Sequence, residues 1–127
     1  MNEQEVARIV QEAAGQIHQS QRGAGLDEQG FRNALAYDLE QRGLSVESRE
    51  ISPGNYKGVK LTRPQTIDMI VDRQLIVECY LKGKSDPRWE AEALSHLRIA
   101  NLKMALVINF GERSLRTTIR RVMNTGT

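Results

Sequence analysis

The chain has 127 residues, 39% hydrophobic and 27% charged, which is the composition of an ordinary globular protein, and we expect residues 1–127 to form one domain. Eighteen basic and sixteen acidic residues give a formal net charge of +2, which excludes the strongly basic class of non-specific nucleic-acid binders. The only cysteine, Cys79, excludes an internal disulfide, and no apolar run reaches the roughly 18 residues of a membrane span, so we predict a cytoplasmic protein without a membrane partner.

Two helices open the predicted fold. Residues 3–19 carry apolar side chains at spacings of three and four, which predicts an amphipathic N-terminal helix. The glycines within residues 23–25 end this helix, and Asp27 is a predicted cap for a second helix that runs to about Gln41. Glu28 lies on the apolar side of the second helix, so we expect its carboxylate to point toward the sheet.

Strand patterns dominate the rest of the chain. The further predicted elements are strands over 44–51 and 56–61 with a turn at 52–55, a hairpin of 66–71 and 75–80, a helix over 86–100, a buried strand over 104–108, a short strand over 118–122 and a frayed tail over 124–127. The third helix links two strands, which predicts a parallel crossover. This order predicts an α/β (α+β) fold in which helices flank a mixed central β-sheet.

The predicted hairpin carries one acid in each strand. If its link, residues 72–74, has three residues, Asp68 lies directly opposite Glu78, with Cβ atoms about 4.5–5.5 Å apart. A link of two residues would instead place the two acids on opposite faces. Apposed carboxylates repel each other, so the pair needs a proton or a cation, and Mg²⁺ prefers oxygen ligands of this kind.

Tyr80 shares a face with Glu78 and bears on the chemistry of the pair. Metal-dependent phosphodiester cleavage commonly uses carboxylates to hold Mg²⁺ and a cationic group to steady the attacking water or the transition state. A lysine at position 80 would complete a D…E-x-K pattern. The phenol of Tyr80 is neutral at pH 7, so it cannot supply the positive charge.

Six segments together resemble the GxxExxY proteins, a branch of the PD-(D/E)xK nuclease-like superfamily. In chain order they are GLDEQGF at 25–31, ALAY at 34–37, YKGVK at 56–60, IDMIV at 67–71, IVE at 76–78 and LVINFG at 106–111. The resemblance covers about residues 23–123, and a helix such as that of residues 1–20 is usual before the glycines. It implies a restriction-endonuclease-like core.

The resemblance also implies a site. Asp68 and Glu78 match the metal-binding carboxylates, with the backbone carbonyl of Cys79 as a further ligand, and Glu28 matches the helix acid that faces them. The implied ion is Mg²⁺ or Mn²⁺, and the implied substrate is a nucleic acid. The chain departs from the family pattern at four positions. It has Phe31 where the family usually has Tyr, Tyr80 in place of Lys, Glu92 in place of Gln and His96 in place of Tyr. The exchanges at 80 and 92 remove a positive charge and add a negative one beside a site that must accept phosphate.

Several residues near this site also have a purely structural interpretation. Lys82 either reaches back to the site in place of the missing lysine or, like Lys84, is a solvated loop residue after the end of a strand. His96 either pairs with Glu92, four residues earlier, and assists attack by water, or has only a structural role, as part of a surface helix pair or as a satisfied semi-buried histidine. Trp89 either anchors the third helix on the sheet or stacks on a base.

Two functions remain open. The first is a divergent nuclease-fold protein with weak or absent Mg²⁺-dependent cleavage, whose candidate catalytic residues are Glu28, Asp68, Glu78, Tyr80 and Glu92. The second is a non-enzymatic module that binds a partner or assembles as a homo-oligomer through its N-terminal helix, its acids being satisfied by Arg, Lys or water. Two basic clusters are candidate phosphate contacts: Lys82, Lys84 and Arg88, and Arg113, Arg116, Arg120 and Arg121.

Overall fold

Three helices and seven strands make up the described fold, which is taken from a computed structural model. The structure describes residues 1–20, 25–52, 54–56, 59–61, 63–113 and 118–125, with only the backbone at 54–56 and 59–61. The elements are α1 (Glu3–Ser20), α2 (Glu28–Gln41), β1 (Val46–Ile51), β2 (Gly54–Tyr56), β3 (Val59–Leu61), β4 (Gln65–Val71), β5 (Leu75–Tyr80), α3 (Arg88–Ala100), β6 (Met104–Asn109) and β7 (Ile119–Met123).

The main sheet has five strands in the order β1-β4-β5-β6-β7. Strands β5 and β6 are parallel, and the other neighbours are antiparallel. Helix α3 forms the connection between the two parallel strands, as predicted, because parallel neighbours need a long crossover. The predicted mixed sheet flanked by helices is therefore confirmed.

The sheet is covered on both faces. Alternate residues of β5 face opposite layers, so that Val77 and Cys79 pack with α1 and α2, whereas Ile76 packs with α3. The apolar stripe of α1, which includes Val6 and Val10, is fully buried in the first of these layers. This stripe lies in the protein's own core, so it is not the exposed assembly surface that the sequence suggested. No helix of the described residues is both long enough and apolar enough to cross a membrane.

Helix α2 begins and ends as its sequence predicts. The carboxylate of Asp27 accepts a hydrogen bond from the backbone N–H of Gly30 at 2.7 Å, which satisfies one of the free donors of the first turn. The helix is followed by Gly43 at φ 89°, a left-handed conformation that glycine adopts without steric cost. This start fixes Glu28 and Arg32 on the first turns of α2, close to the end of β5.

The β4–β5 hairpin has the predicted three-residue link. Val71 pairs with Leu75 and Ile70 with Ile76, so the alternative link of two residues is excluded. However, the pairing extends no further along these two described strands, and it does not join Asp68 to Glu78. Asp68 and Glu78 therefore lie beyond the paired part of the hairpin, and each contacts a different neighbouring residue.

Two predictions outside the site need correction. The predicted strand over 56–61 is instead a separate two-stranded hairpin of β2 and β3, in which Gly54 and Asn55 belong to a strand rather than a turn. Gly58 interrupts this segment in the sequence, and an interior glycine weakens a continuous strand. Asn124, predicted to be frayed, is held by its backbone N–H, which donates to the carbonyl of Lys103 at 2.9 Å. The predicted calls at residues 23–24, 53, 57–58, 116 and 126–127 lie outside the described residues.

Candidate functional site

The first turns of α2 complete the backbone hydrogen bonding at the end of β5. The carbonyl of Tyr80 bonds on the β6 side, so strand alternation directs the backbone groups of Cys79 and Leu81 to the opposite side. There, Glu28 Oε2 accepts from the Leu81 N–H at 3.1 Å, and Arg32 Nη2 donates to the Cys79 carbonyl at 3.4 Å. Glu28 thus points toward the sheet as predicted, and its described partners are a backbone amide and an arginine.

The Arg32 guanidinium lies among four oxygen groups. Besides the Cys79 carbonyl, it contacts Glu28 Oε1 through Nη2 at 3.4 Å and Asp68 Oδ2 through Nε at 3.9 Å. Its Nη1 donates to Gln29 Oε1 at 2.7 Å, which fixes the orientation of the group. The Asp68 side chain is 53% exposed, although it belongs to a strand whose other central residues are buried.

Glu78 has a different cationic partner. Its Oε2 lies 2.5 Å from Nδ1 of His96 on α3, and the two side chains are only 10% and 6% exposed. Burial of the imidazole opposes its protonation, but the hydrogen bond and the negative charge of Glu78 outweigh burial and raise the pKa of His96 above its ordinary value. Nε2 of His96 is buried without a hydrogen-bond partner among the described residues. The result is a buried ion pair that joins α3 to β5.

Tyr80 packs against α3 rather than standing free in the site. Its ring stacks on Trp89 with the ring centroids 4.0 Å apart and the planes 3° from parallel. Its hydroxyl group donates a long hydrogen bond to Glu78 Oε1 at 3.5 Å. Burial, followed by the charges of Glu78 and Glu92, raises the pKa of the phenol, so Tyr80 stays neutral and supplies no cation. The contact also gives Trp89 the anchoring role that the sequence left open.

The predicted pair of His96 and Glu92 does not form. Glu92 is exposed, while His96 lies on the buried face of α3 and bonds to Glu78. A buried carboxylate is poorly solvated and so attracts the imidazole strongly, whereas an exposed one is satisfied by water. The charge of Glu92 still reaches the site, since it contributes to the raised pKa of both His96 and Tyr80.

The exposed lysines lie beyond the end of β5. The strand stops at Tyr80, so Lys82 no longer follows the strand alternation that would have directed it toward Glu78. Its backbone N–H donates to Asn109 Oδ1 at 3.0 Å, and the side chains of Lys82 and Lys84 are both exposed. These facts favour the interpretation of Lys82 as a solvated loop residue.

Comparison with known protein families assigns the chain to a superfamily. A family model of the PD-(D/E)XK nuclease superfamily matches residues 4–122, almost the entire chain. The chain belongs to the PD-(D/E)XK nuclease superfamily. No curated protein and no solved structure gives a significant match. The five-stranded mixed sheet between helices is consistent with the restriction-endonuclease-like fold of this superfamily.

Nucleases of the PD-(D/E)XK superfamily act on nucleic acids and generally use Mg²⁺ or Mn²⁺, so the described residues can be tested for their fit to such an ion. In the described part of the chain, no three Asp, Glu, His or Cys side chains are grouped so that they could hold a metal ion. The groups expected to bind it contact protein cations instead: Glu78 contacts His96, and both Asp68 and the Cys79 carbonyl contact Arg32. In this arrangement the residues do not fit a divalent ion.

Arg32 is the site residue of this PD-(D/E)XK protein that sequence reasoning missed. The available signal was its position four residues after Glu28, which places the two on one side of α2 and allows an ion pair. The contact of His96 with Glu78 was also missed. Its signal was the burial pattern of α3, because an imidazole on the face toward the sheet meets the even-numbered residues of β5.

Proposed function

We propose that this protein is a divergent member of the PD-(D/E)XK superfamily, with weak or absent Mg²⁺-dependent phosphodiester cleavage. The observation that carries this proposal is the buried pair of Glu78 and His96. A carboxylate binds a divalent ion through oxygen lone pairs, and Glu78 directs one oxygen at His96 and the other at the Tyr80 hydroxyl. Binding metal there would require breaking a nearly dry ion pair, which costs several kcal/mol.

The charge of the site supports the same proposal. Four carboxylates, those of Glu28, Asp68, Glu78 and Glu92, lie in or beside it. Their cationic counterparts are Arg32, which is already among oxygens, and His96, which is buried. A phosphodiester brings a further negative charge, and neutral Tyr80 provides none of the compensation that a lysine would give.

We further propose that the protein is of the GxxExxY type. The family's signature aromatic position, here Phe31, is buried and stacks on Phe110 with the ring centroids 4.6 Å apart. Both rings belong to segments that carry the resemblance, and their contact joins the start of α2 to the end of β6. A phenylalanine fills this position through its ring alone, so the absence of the tyrosine hydroxyl is compatible with the family architecture.

A plasmid nicking assay tests the loss of cleavage. Wild-type protein and Asp68→Ala are incubated with supercoiled and single-stranded DNA in Mg²⁺ and in Mn²⁺. We expect both proteins to leave the DNA as intact as buffer does. Efficient, multiple-turnover cleavage by the wild type that disappears in Asp68→Ala would refute the proposal, whereas equal traces of nicking in both would identify a contaminating nuclease.

Binding of nucleic acid without cleavage is the second candidate function. It is favoured by the exposed side chains of Lys82 and Lys84, whose ammonium groups form no ion pair with the described residues. We expect fluorescence anisotropy in EDTA to detect salt-sensitive binding of a labelled oligonucleotide. Lys82→Ala and Lys84→Ala, made singly, should each weaken that binding severalfold, while Lys103→Ala, which removes the same single charge from an exposed position elsewhere, should leave it unchanged. Equal affinity of all variants would rule out this surface.

A further inference from the structure

We propose that Arg32 is the resident cation of this site and takes the place that the superfamily gives to a divalent metal ion. The inference rests on the proposed loss of cleavage and names the group that accompanies it. It concerns only the half of the site formed by α2, β4 and the end of β5, whereas Glu78 and His96 form the other half.

The contacts of Arg32 match the ligand types of a hard metal ion. Its nitrogens lie 3.4 Å from the Cys79 carbonyl, 3.4 Å from the Glu28 carboxylate and 3.9 Å from the Asp68 carboxylate. Charge-assisted hydrogen bonds of an arginine paired with one carboxylate are usually about 2.7–2.9 Å long. The guanidinium therefore contacts three oxygen groups of the site without pairing tightly with any of them, and its one short bond, at 2.7 Å, is to the side-chain amide of Gln29.

The properties of arginine suit this role. A guanidinium stays charged throughout the accessible pH range and carries five N–H donors, so it can serve several oxygens at once. The Arg32 side chain is only 18% exposed, and its bond to Gln29 at 2.7 Å holds it over the end of β5. Because it joins α2 to β4 and β5, it provides the electrostatic link between elements that a bound metal ion would provide.

Removing Arg32 should uncover a metal site. The carboxylates of Glu28 and Asp68 would lose their cationic partner, and the Cys79 carbonyl would lose its hydrogen-bond donor. All three groups offer oxygen ligands of the type that Mg²⁺ and Mn²⁺ bind. The wild type should show no such site, since its cation is covalently attached. Metal dependence of stability is thus the property that distinguishes a stand-in cation from an ordinary surface arginine.

The test measures thermal unfolding of the full chain as wild type, Arg32→Ala and Arg32→Gln, in EDTA and with MnCl₂. We expect both variants to melt below the wild type in EDTA. A Mn²⁺ concentration about 100-fold above Kd should raise their Tm by roughly 5–10 °C and leave that of the wild type unchanged. Electron paramagnetic resonance should show that each Arg32 variant removes one equivalent of free Mn²⁺ from solution. Adding Asp68→Ala to either Arg32 variant should abolish this Mn²⁺ binding. Arg32→Gln keeps a donor for the Cys79 carbonyl and guards against failure of the alanine variant to fold.

Arg42→Ala is the matched control. Arg42 also lies at α2 and contacts two carboxylates, Asp38 at 2.9 Å and Glu12 at 3.4 Å, but no backbone carbonyl of the sheet. The Arg42→Ala variant should be less stable than the wild type and should not bind Mn²⁺. The inference would be overturned if Mn²⁺ left the Tm of the Arg32 variants unchanged, or if it raised the Tm of the wild type. Efficient DNA cleavage by the wild type would overturn the proposed function instead, so the two failures are separable.

Discussion

The buried pair of His96 and Glu78 should make a large contribution to stability that a single substitution reveals. His96→Ala removes the cation and leaves the Glu78 carboxylate, whose side chain is 10% exposed, without its partner. Breaking a buried ion pair in this way usually costs about 3–5 kcal/mol. The substitution also removes the unpartnered Nε2 of His96, whose burial is itself unfavourable by about 1–3 kcal/mol, so we expect the lower end of that range.

A loss of about 3 kcal/mol is a substantial part of the 5–15 kcal/mol that stabilises a typical domain. For a chain of this length it corresponds to a fall in Tm of about 10 °C. Urea unfolding followed by circular dichroism, with the linear extrapolation to water, measures the free energy directly. The double variant Glu78→Ala/His96→Ala should lose less than the sum of the two single losses, by about 2–3 kcal/mol, since neither charge is then left alone.

His18→Ala is the control for this experiment. His18 lies on α1 and bonds through Nε2 to the carbonyl of Glu112 at 2.9 Å, so its removal costs a single hydrogen bond with no partnered carboxylate, about 1 kcal/mol. If His96→Ala cost no more than His18→Ala, or if the losses at His96 and Glu78 were additive, the reasoning about a buried ion pair would be refuted.

Three other predictions concern pH, packing and thiol reactivity. Because the folded-state pKa of His96 is raised, its contribution to stability is complete below about pH 6.5 and is lost as pH rises through the folded value, so the stability difference between wild type and His96→Ala should shrink over that range. Gly111→Ala should destabilise the protein by about 2 kcal/mol or more, because its Cβ would overlap the Lys82 backbone, whereas Gly15→Ala, in open space within α1, should stabilise it by about 0.5–1 kcal/mol. Burial raises the pKa of the Cys79 thiol to about 12, so Ellman's reagent at pH 8 should label Cys79 only as fast as the protein unfolds.

Each of these predictions has a clear contrary outcome. A stability difference between wild type and His96→Ala that grows with pH would mean that the folded-state pKa of His96 is lowered, not raised. Equal effects of alanine at 111 and 15 would show that the backbone at the end of β6 can move freely. Labelling of Cys79 at the rate of a free thiol in urea-free buffer would mean that the end of β5 is open to solvent.

Local patterns in the sequence predicted the elements that surround the site. The apolar spacing of α1, the Asp27 cap of α2 and the three-residue link before Leu75 each depend on neighbours within a few positions, and each is confirmed. The parallel crossover through α3 followed from element order alone. The prediction of one strand over 56–61 was wrong because the apolar residues of this segment do not distinguish one strand from two short ones.

The pairing of charges at the site could not be predicted in the same way. Asp68 and Glu78 were correctly placed in adjacent strands, but the β4–β5 pairing stops at Ile70 and Ile76, and no pattern within either strand marks that end. Arg32 and His96 reach those acids from helices 36 and 18 positions away in the sequence, and which cation meets which acid is decided by tertiary contacts. Helical spacing suggested a partner for His96 within α3, but burial of Glu78 made the distant acid the stronger attractor.

Direct titration of the full wild-type chain with Mn²⁺ tests the central claim, that the carboxylate site is occupied by the protein's own cations. The titration is followed by calorimetry and by the resonance of free Mn²⁺, with Glu78→Gln and Asp68→Ala as references. We predict that the wild type binds no Mn²⁺ at millimolar concentrations and is indistinguishable from both variants. Stoichiometric binding by the wild type that is lost in Glu78→Gln or Asp68→Ala would contradict the account and restore these residues to a metal-dependent nuclease site.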